Sequence, residues 1–254
     1  MRSPEWFSIL SFPRSFADTW LEINLENIAW NLAQIRKRIG NRPVMAVVKA
    51  NTYGHGLVEV GKFLEKQNIS YLAVGKFQEA LDLRKSGVNT PTLNLGMFFD
   101  EQAEEIILQN ISQSIFTDDY KRLAQFAQKH NSRAKIHIKV DTGLGRVGVP
   151  YHKSLPLIEK IAATDGIEIA GIFTPFTEDD AYDKIQLLRL LEICEVAKKK
   201  GIDVGLRHAA SSAGVISFPE GYLDMVRPGI AIYGQYPSTR EYEARKIDLR
   251  PACR

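Results

Sequence analysis

The chain has 254 residues, of which 44% are hydrophobic and 25% are charged, so it is long enough for one large domain or two small ones. Its formal net charge of +3 comes with no basic stripe interleaved with aromatic residues, which argues against a nucleic-acid partner. Only 2 cysteines occur, Cys194 and Cys253, and this usage excludes a disulfide framework or a zinc site. It favours a reducing compartment, and we predict a cytoplasmic protein.

Residues 1–17 are predicted to be an N-terminal extension outside the folded domain. Pro4 and Pro13 interrupt its apolar residues and no convincing small-residue cleavage site follows, so the segment is not typical of a signal peptide. The sequence also has no apolar run of about eighteen residues, the length that a membrane-spanning helix needs. We therefore expect no membrane partner.

Short β-rich runs alternate with amphipathic segments along the rest of the chain. Strands are predicted near residues 44–49, 71–75, 92–96, 112–116, 134–140, 168–174, 203–209 and 223–227. Helices are predicted near residues 25–39, 56–67, 76–86, 100–109, 118–130, 151–164, 180–200 and 212–217. This alternation predicts an α/β fold in which parallel strands, joined by right-handed crossovers, close into a (β/α)8 barrel of the TIM type. A doubly wound open sheet is the alternative.

The first candidate functional segment is a lysine that follows an apolar run. Residues 44–48 are apolar, Lys49 comes next, and Gly54 and Gly56 permit a tight turn. A lysine at the end of a buried strand suits Schiff-base chemistry, because apolar surroundings and nearby cations favour the neutral amine. The alternative is a lysine that ends its strand by reaching for solvent. We expect His55 to shape the turn rather than to bind a ligand.

The second segment, residues 138–148, is again a strand followed by a glycine-rich loop. Its glycines have the spacing of a dinucleotide-binding fingerprint, but Pro150 follows where a helix should already be running. The segment also follows the fifth predicted strand, whereas that fingerprint follows the first. A dinucleotide site is therefore the weaker interpretation. Asp141 and Thr142 are expected to fix the loop.

The third segment combines residues 208–214 with residues 225–234. Small and hydroxyl side chains after the seventh strand, and a glycine turn after the eighth, are typical of the phosphate site that many barrels share. Taken alone, Ser211 and Ser212 are also typical of a helix cap.

These three segments, in this order, closely resemble the motifs of alanine racemases, which are barrel-type pyridoxal phosphate enzymes. The resemblance covers roughly residues 18–251 and rests on Lys49 through Gly56, on the Lys-x-Asp-Thr-Gly-x-Gly-Arg signature from Lys139 to Arg146, and on the third segment. It implies that pyridoxal 5'-phosphate is bonded to Lys49, the catalytic lysine. It also implies contacts to the cofactor phosphate from Tyr53, Ser212 and the backbone N–H groups of Gly229 and Ile230.

The resemblance assigns further roles to cationic residues. Arg146 is expected beside the cofactor and the substrate carboxylate, because a guanidinium donates two parallel hydrogen bonds to a carboxylate. Lys139 matches a lysine that is carbamylated in several family members and supports that arginine; a strand lysine paired with a carboxylate is the alternative. Arg227 is expected opposite the pyridine nitrogen, where an arginine that keeps its proton makes the ring a weaker electron sink.

Two departures from the family pattern stand out. Pro175 occupies the position of a histidine that usually hydrogen-bonds the arginine at the pyridine nitrogen, so the orientation of Arg227 is expected to be less secure. The second acid/base of the family is a tyrosine from a C-terminal β domain, contributed across a homodimer interface, and no residue here matches its motif. Residues 20–25, which alternate as a half-buried strand does, would normally pair within that domain and are expected to lack their partners.

The expected organisation is an extension at 1–17, a pyridoxal-phosphate barrel at 18–235, and the start of a truncated β domain at 236–254. The implied reaction is racemisation of L-alanine to D-alanine for bacterial cell-wall synthesis, impaired in this chain by the absent tyrosine. The alternative is a single-domain pyridoxal-phosphate protein of cofactor homeostasis that performs no turnover.

Overall fold

The computed structural model describes residues 20–244 and 246–254, so the extension predicted at 1–17 lies outside the described residues. Within these ranges, no helix combines the length and apolarity required to cross a membrane.

The centre of the fold is a parallel sheet whose neighbouring strands follow the order of the chain. The strands are β1 (Met45–Val47), β2 (Tyr71–Val74), β3 (Thr92–Asn94), β4 (Ile111–Ile115), β5 (Ala134–Asp141), β6 (Val149–Pro150), β7 (Ile167–Phe173) and β8 (Leu206–His208). The order is β1-β2-β3-β4-β5-β7-β8, and the two-residue β6 pairs with β5 off this path. A doubly wound sheet would reverse its order at a switch point, so that alternative is wrong.

Residues 224–228 close the sheet into a barrel. Val226 forms a parallel bridge with Val44, the residue before β1, and Met225 forms a parallel bridge with His208 of β8. The strand predicted at 223–227 is nevertheless wrong as a regular strand. Leu223 has a φ of 50°, and Pro228 carries no N–H to extend a ladder, so only a short stretch between them pairs. The (β/α)8 architecture itself is confirmed.

Helices are present outside the sheet at each position predicted from periodicity, and a further one, Thr239–Ala244, was not predicted. They span Leu25–Ile39, Leu57–Lys66, Phe77–Lys85, Ala103–Leu108, Tyr120–Lys129, Tyr151–Ala162, Asp180–Lys199, Ser212–Ser217 and Thr239–Ala244, with 3₁₀ turns at Asp100–Gln102, Pro219–Tyr222 and Ile230–Tyr233. Their apolar faces form one large cluster with the outward faces of the strands. This layer holds the strand ends, and the loops that follow them, in fixed positions.

The barrel interior is apolar in one part and polar in another. Met45, Val47, Ala73, Leu93 and Met225 form an apolar cluster inside the sheet. The polar part consists of buried side chains from β5, β8 and the closing segment: His137, Lys139, His208 and Arg227. Buried polar groups are costly unless they are hydrogen-bonded, so this part of the interior is a candidate for chemistry.

The two ends of the described chain pair with each other. Ile23 bridges Cys253 in an antiparallel arrangement, and the Asn24 N–H donates to the Ala252 carbonyl at 2.7 Å. The expectation that residues 20–25 lack strand partners is therefore wrong. Residues 252–254 supply those partners because Ile247, Leu249 and Ala252 are buried in the same apolar cluster as the first helix.

Asn31 of the first helix fastens this C-terminal segment to the barrel. Its side chain is fully buried, and its amide donates to the carbonyls of Ile232 at 3.0 Å and Arg250 at 2.8 Å. Its Oδ1 accepts from the Arg250 N–H at 2.7 Å. One side chain thus satisfies three backbone groups that the tertiary fold brings together.

We predict that Asn31→Leu lowers the free energy of unfolding by about 2–4 kcal/mol, because it leaves buried backbone groups without partners. Asn27→Leu is the control, since the Asn27 amide donates to the Pro251 carbonyl at an exposed site and its loss should cost about 1 kcal/mol or less. Urea denaturation of both variants measures the difference. Equal losses would show that Asn31 makes no special contribution.

Candidate active site

The predicted site residues come from separate parts of the chain but lie at one rim of the barrel. Lys49 follows β1, Arg146 lies in the loop after β5, Ser212 follows β8, and Arg227 belongs to the closing segment. Parallel strands present all their carboxyl ends at the same rim, which is where barrels of this kind carry their active sites. Lys49 is exposed there, with its Nζ 5.9 Å from the centre of the Tyr53 ring.

The backbone after Lys49 forms a left-handed helical turn. Ala50, Asn51, Thr52 and Tyr53 all have positive φ, between 53° and 59°. For L-residues this conformation costs roughly 1–2 kcal/mol each. The turn ends at Gly54, where φ is 89° and the strain disappears. The sequence predicted a turn at the glycines, but the unusual backbone begins four residues earlier and includes Tyr53 itself.

Tyr53, Ser212 and Gly229 meet in a small set of donors. The Tyr53 hydroxyl lies so close to Gly229 that a Cβ atom there would be 2.5 Å from it. The Ser212 Oγ accepts from the N–H groups of Gly229 at 3.0 Å and Ala231 at 3.1 Å. Ile230 lies between these two donors at the start of a 3₁₀ turn. Hydroxyl and backbone N–H groups gathered around a glycine, here Gly229, are suited to binding a phosphate dianion.

Arg227 is buried and held by neutral acceptors. Its guanidinium donates to His208 Nδ1 at 2.9 Å and to the carbonyls of Thr174 and Ala209, both at 3.1 Å. Burial lowers the pKa of Arg227 to about 9, which leaves it charged at neutral pH. The expectation that Pro175 makes its orientation less secure is therefore corrected, because acceptors from two strand ends fix the guanidinium without a histidine at that position.

A second histidine continues this hydrogen-bonded chain. Because His208 Nδ1 accepts from Arg227, the His208 proton resides on Nε2 and is donated to His137 Nδ1 at 2.8 Å. Burial, and then the charge of Arg227, lower the pKa of His137 to about 3, so it is neutral. The sequence interpretation missed both histidines. One signal was available: His137 lies two residues before Lys139, on the same face of a strand.

Positive charge accumulates around Lys139. Burial lowers the pKa of Lys139 to about 8, with further contributions from the charges of Arg146, Arg227 and Lys49 that outweigh the opposite effect of Asp141. Three other cations therefore lie within electrostatic reach of Lys139 at this rim. Such an arrangement is costly by itself and favours anionic ligands.

The loop that carries Arg146 is organised by Asp141. Its Oδ1 accepts from the N–H groups of Gly143 at 2.9 Å and Gly145 at 3.1 Å. Gly148 packs so tightly that a Cβ atom would lie 2.7 Å from the Asp141 nitrogen. After it comes the short strand β6, so the glycines do not lead directly into a helix as a dinucleotide fingerprint requires.

Together these features define a parallel (β/α)8-barrel protein with a lysine, a buried arginine and a phosphate-type donor set at one rim. The family described as alanine racemase, N-terminal domain, matches residues 23–237. The chain therefore belongs to the alanine racemase N-terminal domain family.

Relatives and solved structures agree with this assignment. The chain is 42% identical to an alanine racemase of Desulforamulus reducens over 240 residues, which cover 92% of this chain and 65% of that protein. An alanine racemase of Clostridium tetani is 39% identical, with coverages of 91% and 61%. The structure of a Clostridium difficile alanine racemase in complex with cycloserine superposes with a TM-score of 0.90 at 32% identity, covering 94% of this chain and 67% of that one. The chain thus spans less than two thirds of the length of these two sequence relatives.

The buried histidines make a prediction about stability and pH. An unfolded histidine has a pKa of about 6.5, whereas burial, and then the charge of Arg227, lower the pKa of His137 to about 3 in the folded chain. Between these values the unfolded chain binds a proton that the folded chain does not, so the free energy of unfolding falls as pH decreases through this window. His137→Gln should reduce that slope by up to about 1.4 kcal/mol per pH unit. Urea denaturation between about pH 7 and about pH 4.5 measures it, with the exposed His152→Gln as control. Identical slopes in all three proteins would contradict the prediction.

Proposed function

We propose that this chain is the barrel part of an alanine racemase, that it carries pyridoxal 5'-phosphate on Lys49, and that it takes part in converting L-alanine to D-alanine. The observation that supports this most strongly is the convergence at one rim of four cations and a phosphate-type donor set. A singly charged substrate alone would not require both. A phosphorylated cofactor and a carboxylate substrate together do.

The residues at the rim fit this cofactor. When bound, pyridoxal phosphate supplies a conjugated ring that withdraws electrons from the α-carbon of the substrate, the carbon that bears the amino group. Because Gly229 has no side chain, the Tyr53 hydroxyl can lie against the Gly229 backbone and join the donor set for the phosphate. Burial raises the pKa of Tyr53, which keeps this hydroxyl a donor. We assign the phosphate to Tyr53, Ser212 and the N–H groups of Gly229 and Ile230.

Arg227 sets the electronic character of the site. Its three acceptors fix the guanidinium inside the barrel, and it remains protonated at neutral pH. By the resemblance, Arg227 would face the pyridine nitrogen of the cofactor, to which it would donate a hydrogen bond without giving up its proton. The weaker electron sink that results disfavours side reactions such as transamination and favours racemisation.

Arg146 and Lys139 are assigned to the substrate carboxylate and its support. Unmodified Lys139 and Arg146 are both cations, and the charge of Arg146, after burial, lowers the pKa of Lys139. A carbamate on Lys139 would carry a negative charge and would turn this repulsion into attraction. Burial favours the neutral Lys139 amine, whose nitrogen would bond to the carbon of carbon dioxide and release one proton to solvent.

Racemisation needs a second acid/base on the opposite face from Lys49. Two tyrosines near the end of the chain are already engaged: the Tyr233 hydroxyl donates to the Val47 carbonyl at 2.9 Å and the Tyr236 hydroxyl to the Ile247 carbonyl at 2.7 Å. As the resemblance to alanine racemases implies, we assign the second group to a C-terminal domain of a partner subunit in a homodimer. The barrel part without such a group should racemise alanine poorly. A cytoplasmic location in bacterial D-alanine supply is part of the same proposal.

The first test is covalent labelling. We predict that borohydride treatment of the chain loaded with pyridoxal phosphate leaves a pyridoxyl group on Lys49, located by peptide mass spectrometry. Lys49→Arg keeps the charge and should abolish the label, whereas Lys139→Arg should retain it. D-alanine formation from L-alanine, even at a low rate, separates a racemase from a cofactor-homeostasis protein. A label at another lysine, or no label, would contradict the assignment of the cofactor to Lys49.

The second test concerns Lys139. Because its pKa is lowered to about 8, the reactive neutral amine increases as pH rises through that value. We predict a carbamate signal in the carbon NMR spectrum of the chain in labelled bicarbonate, growing over this range and missing in Lys139→Arg. Equal signals in the two proteins would place the modification elsewhere.

A further inference from the structure

The strained turn after Lys49 needs contacts that hold it. Four consecutive non-glycine residues in the left-handed region are stable only when the surrounding structure determines their conformation. The position of the Lys49 amine depends on this turn, because the same backbone carries the lysine into the rim and places Tyr53 against Gly229.

Asn51 is the residue through which the turn is held. Its Oδ1 accepts from the Leu57 N–H at 2.8 Å, at the start of the next helix. Its carbonyl accepts from the N–H groups of Gly54 at 3.0 Å and Gly56 at 3.1 Å. Its own N–H donates out of the turn, to the Glu79 Oε1 at 3.2 Å. This last bond joins the turn to another strand–helix unit.

Glu79 uses its two oxygens for two different elements. Oε2 accepts from the N–H groups of Gly75 at 2.9 Å and Lys76 at 3.2 Å, which is the ordinary capping role of a glutamate in the first turn of a helix. Oε1 is left for Asn51. A single carboxylate therefore ties the loop after β2 to the turn after β1.

Gly75 shows why this connection bears on Lys49. A Cβ atom on Gly75 would lie 3.2 Å from the Lys49 Cβ and 3.8 Å from its Cδ, so the Gly75 backbone lies against the lysine stem. Glu79 thus fixes two pieces of backbone: the one that follows Lys49 and the one against which its side chain packs.

We propose that Glu79 is a positioning residue that directs the Lys49 amine into the rim by clamping the left-handed turn to the Gly75 loop. The clamp itself is a property of the unliganded chain; only the identity of the group that reacts with Lys49 rests on the proposed function.

Glu79→Gln separates the clamp from the helix cap. Glutamine keeps one oxygen, which can still accept from Gly75 and Lys76, and glutamine is itself a normal capping residue. Its NH₂ group then faces the Asn51 N–H, where no acceptor remains. The matched control is Glu59→Gln, which removes an exposed carboxylate from the same surface cavity of about 440 Å³ without touching Asn51.

Hydrogen–deuterium exchange of the unliganded full chain tests the clamp directly. In Glu79→Gln, amides of residues 50–57 should exchange at least about threefold faster than in the wild type, because a hydrogen bond that restrains the turn is lost. The helix Phe77–Lys85 should keep its protection, and Glu59→Gln should match the wild type. Faster exchange confined to residues 75–78 would mean that Glu79 is only a cap, and unchanged exchange everywhere would mean that no clamp exists. Either result overturns the proposal.

Binding of pyridoxal 5'-phosphate tests the consequence for Lys49. The apparent dissociation constant, from visible absorbance and borohydride-trapped pyridoxyl-Lys49, should rise about three- to tenfold in Glu79→Gln and stay unchanged in Glu59→Gln. Equal affinity in Glu79→Gln would overturn the positioning role. If the wild-type chain itself gives no adduct, the proposed function fails, and the exchange measurement still decides whether the clamp exists.

Discussion

A charged guanidinium, buried inside a barrel and satisfied by neutral acceptors, is the interaction on which the site depends. Removing a charge from water costs several kcal/mol even after relaxation. Arg227 is kept there by His208 and two carbonyls from neighbouring strand ends, so the barrel must close with residues 224–228 in register for the charge to be tolerated. Burial is the main reason why the pKa values of His137 and Lys139 are lowered, and the charge of Arg227 adds to both shifts.

Among the described residues, Lys139 has three neighbouring cations that lower its pKa and one anion, Asp141, that raises it, so this rim carries an excess of positive charge. Asp141 is the anion that favours the charged form of Lys139, and it also accepts hydrogen bonds from its own loop. Stability and function are therefore linked at this site. Each anion that binds, whether a phosphate, a carboxylate or a carbamate, offsets part of an electrostatic penalty that the fold already carries.

Much of the fold could be predicted from the sequence because its signals are local. Each of these signals lies within one short stretch of sequence. Examples are the apolar run before Lys49, the glycines at 143–148 and the helical periodicity of residues 180–199. Other features join distant residues. Asn51 and Glu79 are 28 positions apart, and His137 and His208 are 71 apart, so no local pattern announces their hydrogen bonds. The left-handed turn was also hidden, because alanine, asparagine, threonine and tyrosine are unremarkable in composition while their φ values are set by tertiary contacts.

The turn after Lys49 has a stereochemical consequence. A backbone with φ and ψ both near 50° is the relaxed helical conformation for amino acids of the opposite hand. A semisynthetic chain with D-residues at positions 50–53 would therefore keep the same main-chain path while relieving its strain. At this turn, the main-chain path does not depend on L-chirality. The protein uses L-residues in a conformation that D-residues would adopt without strain.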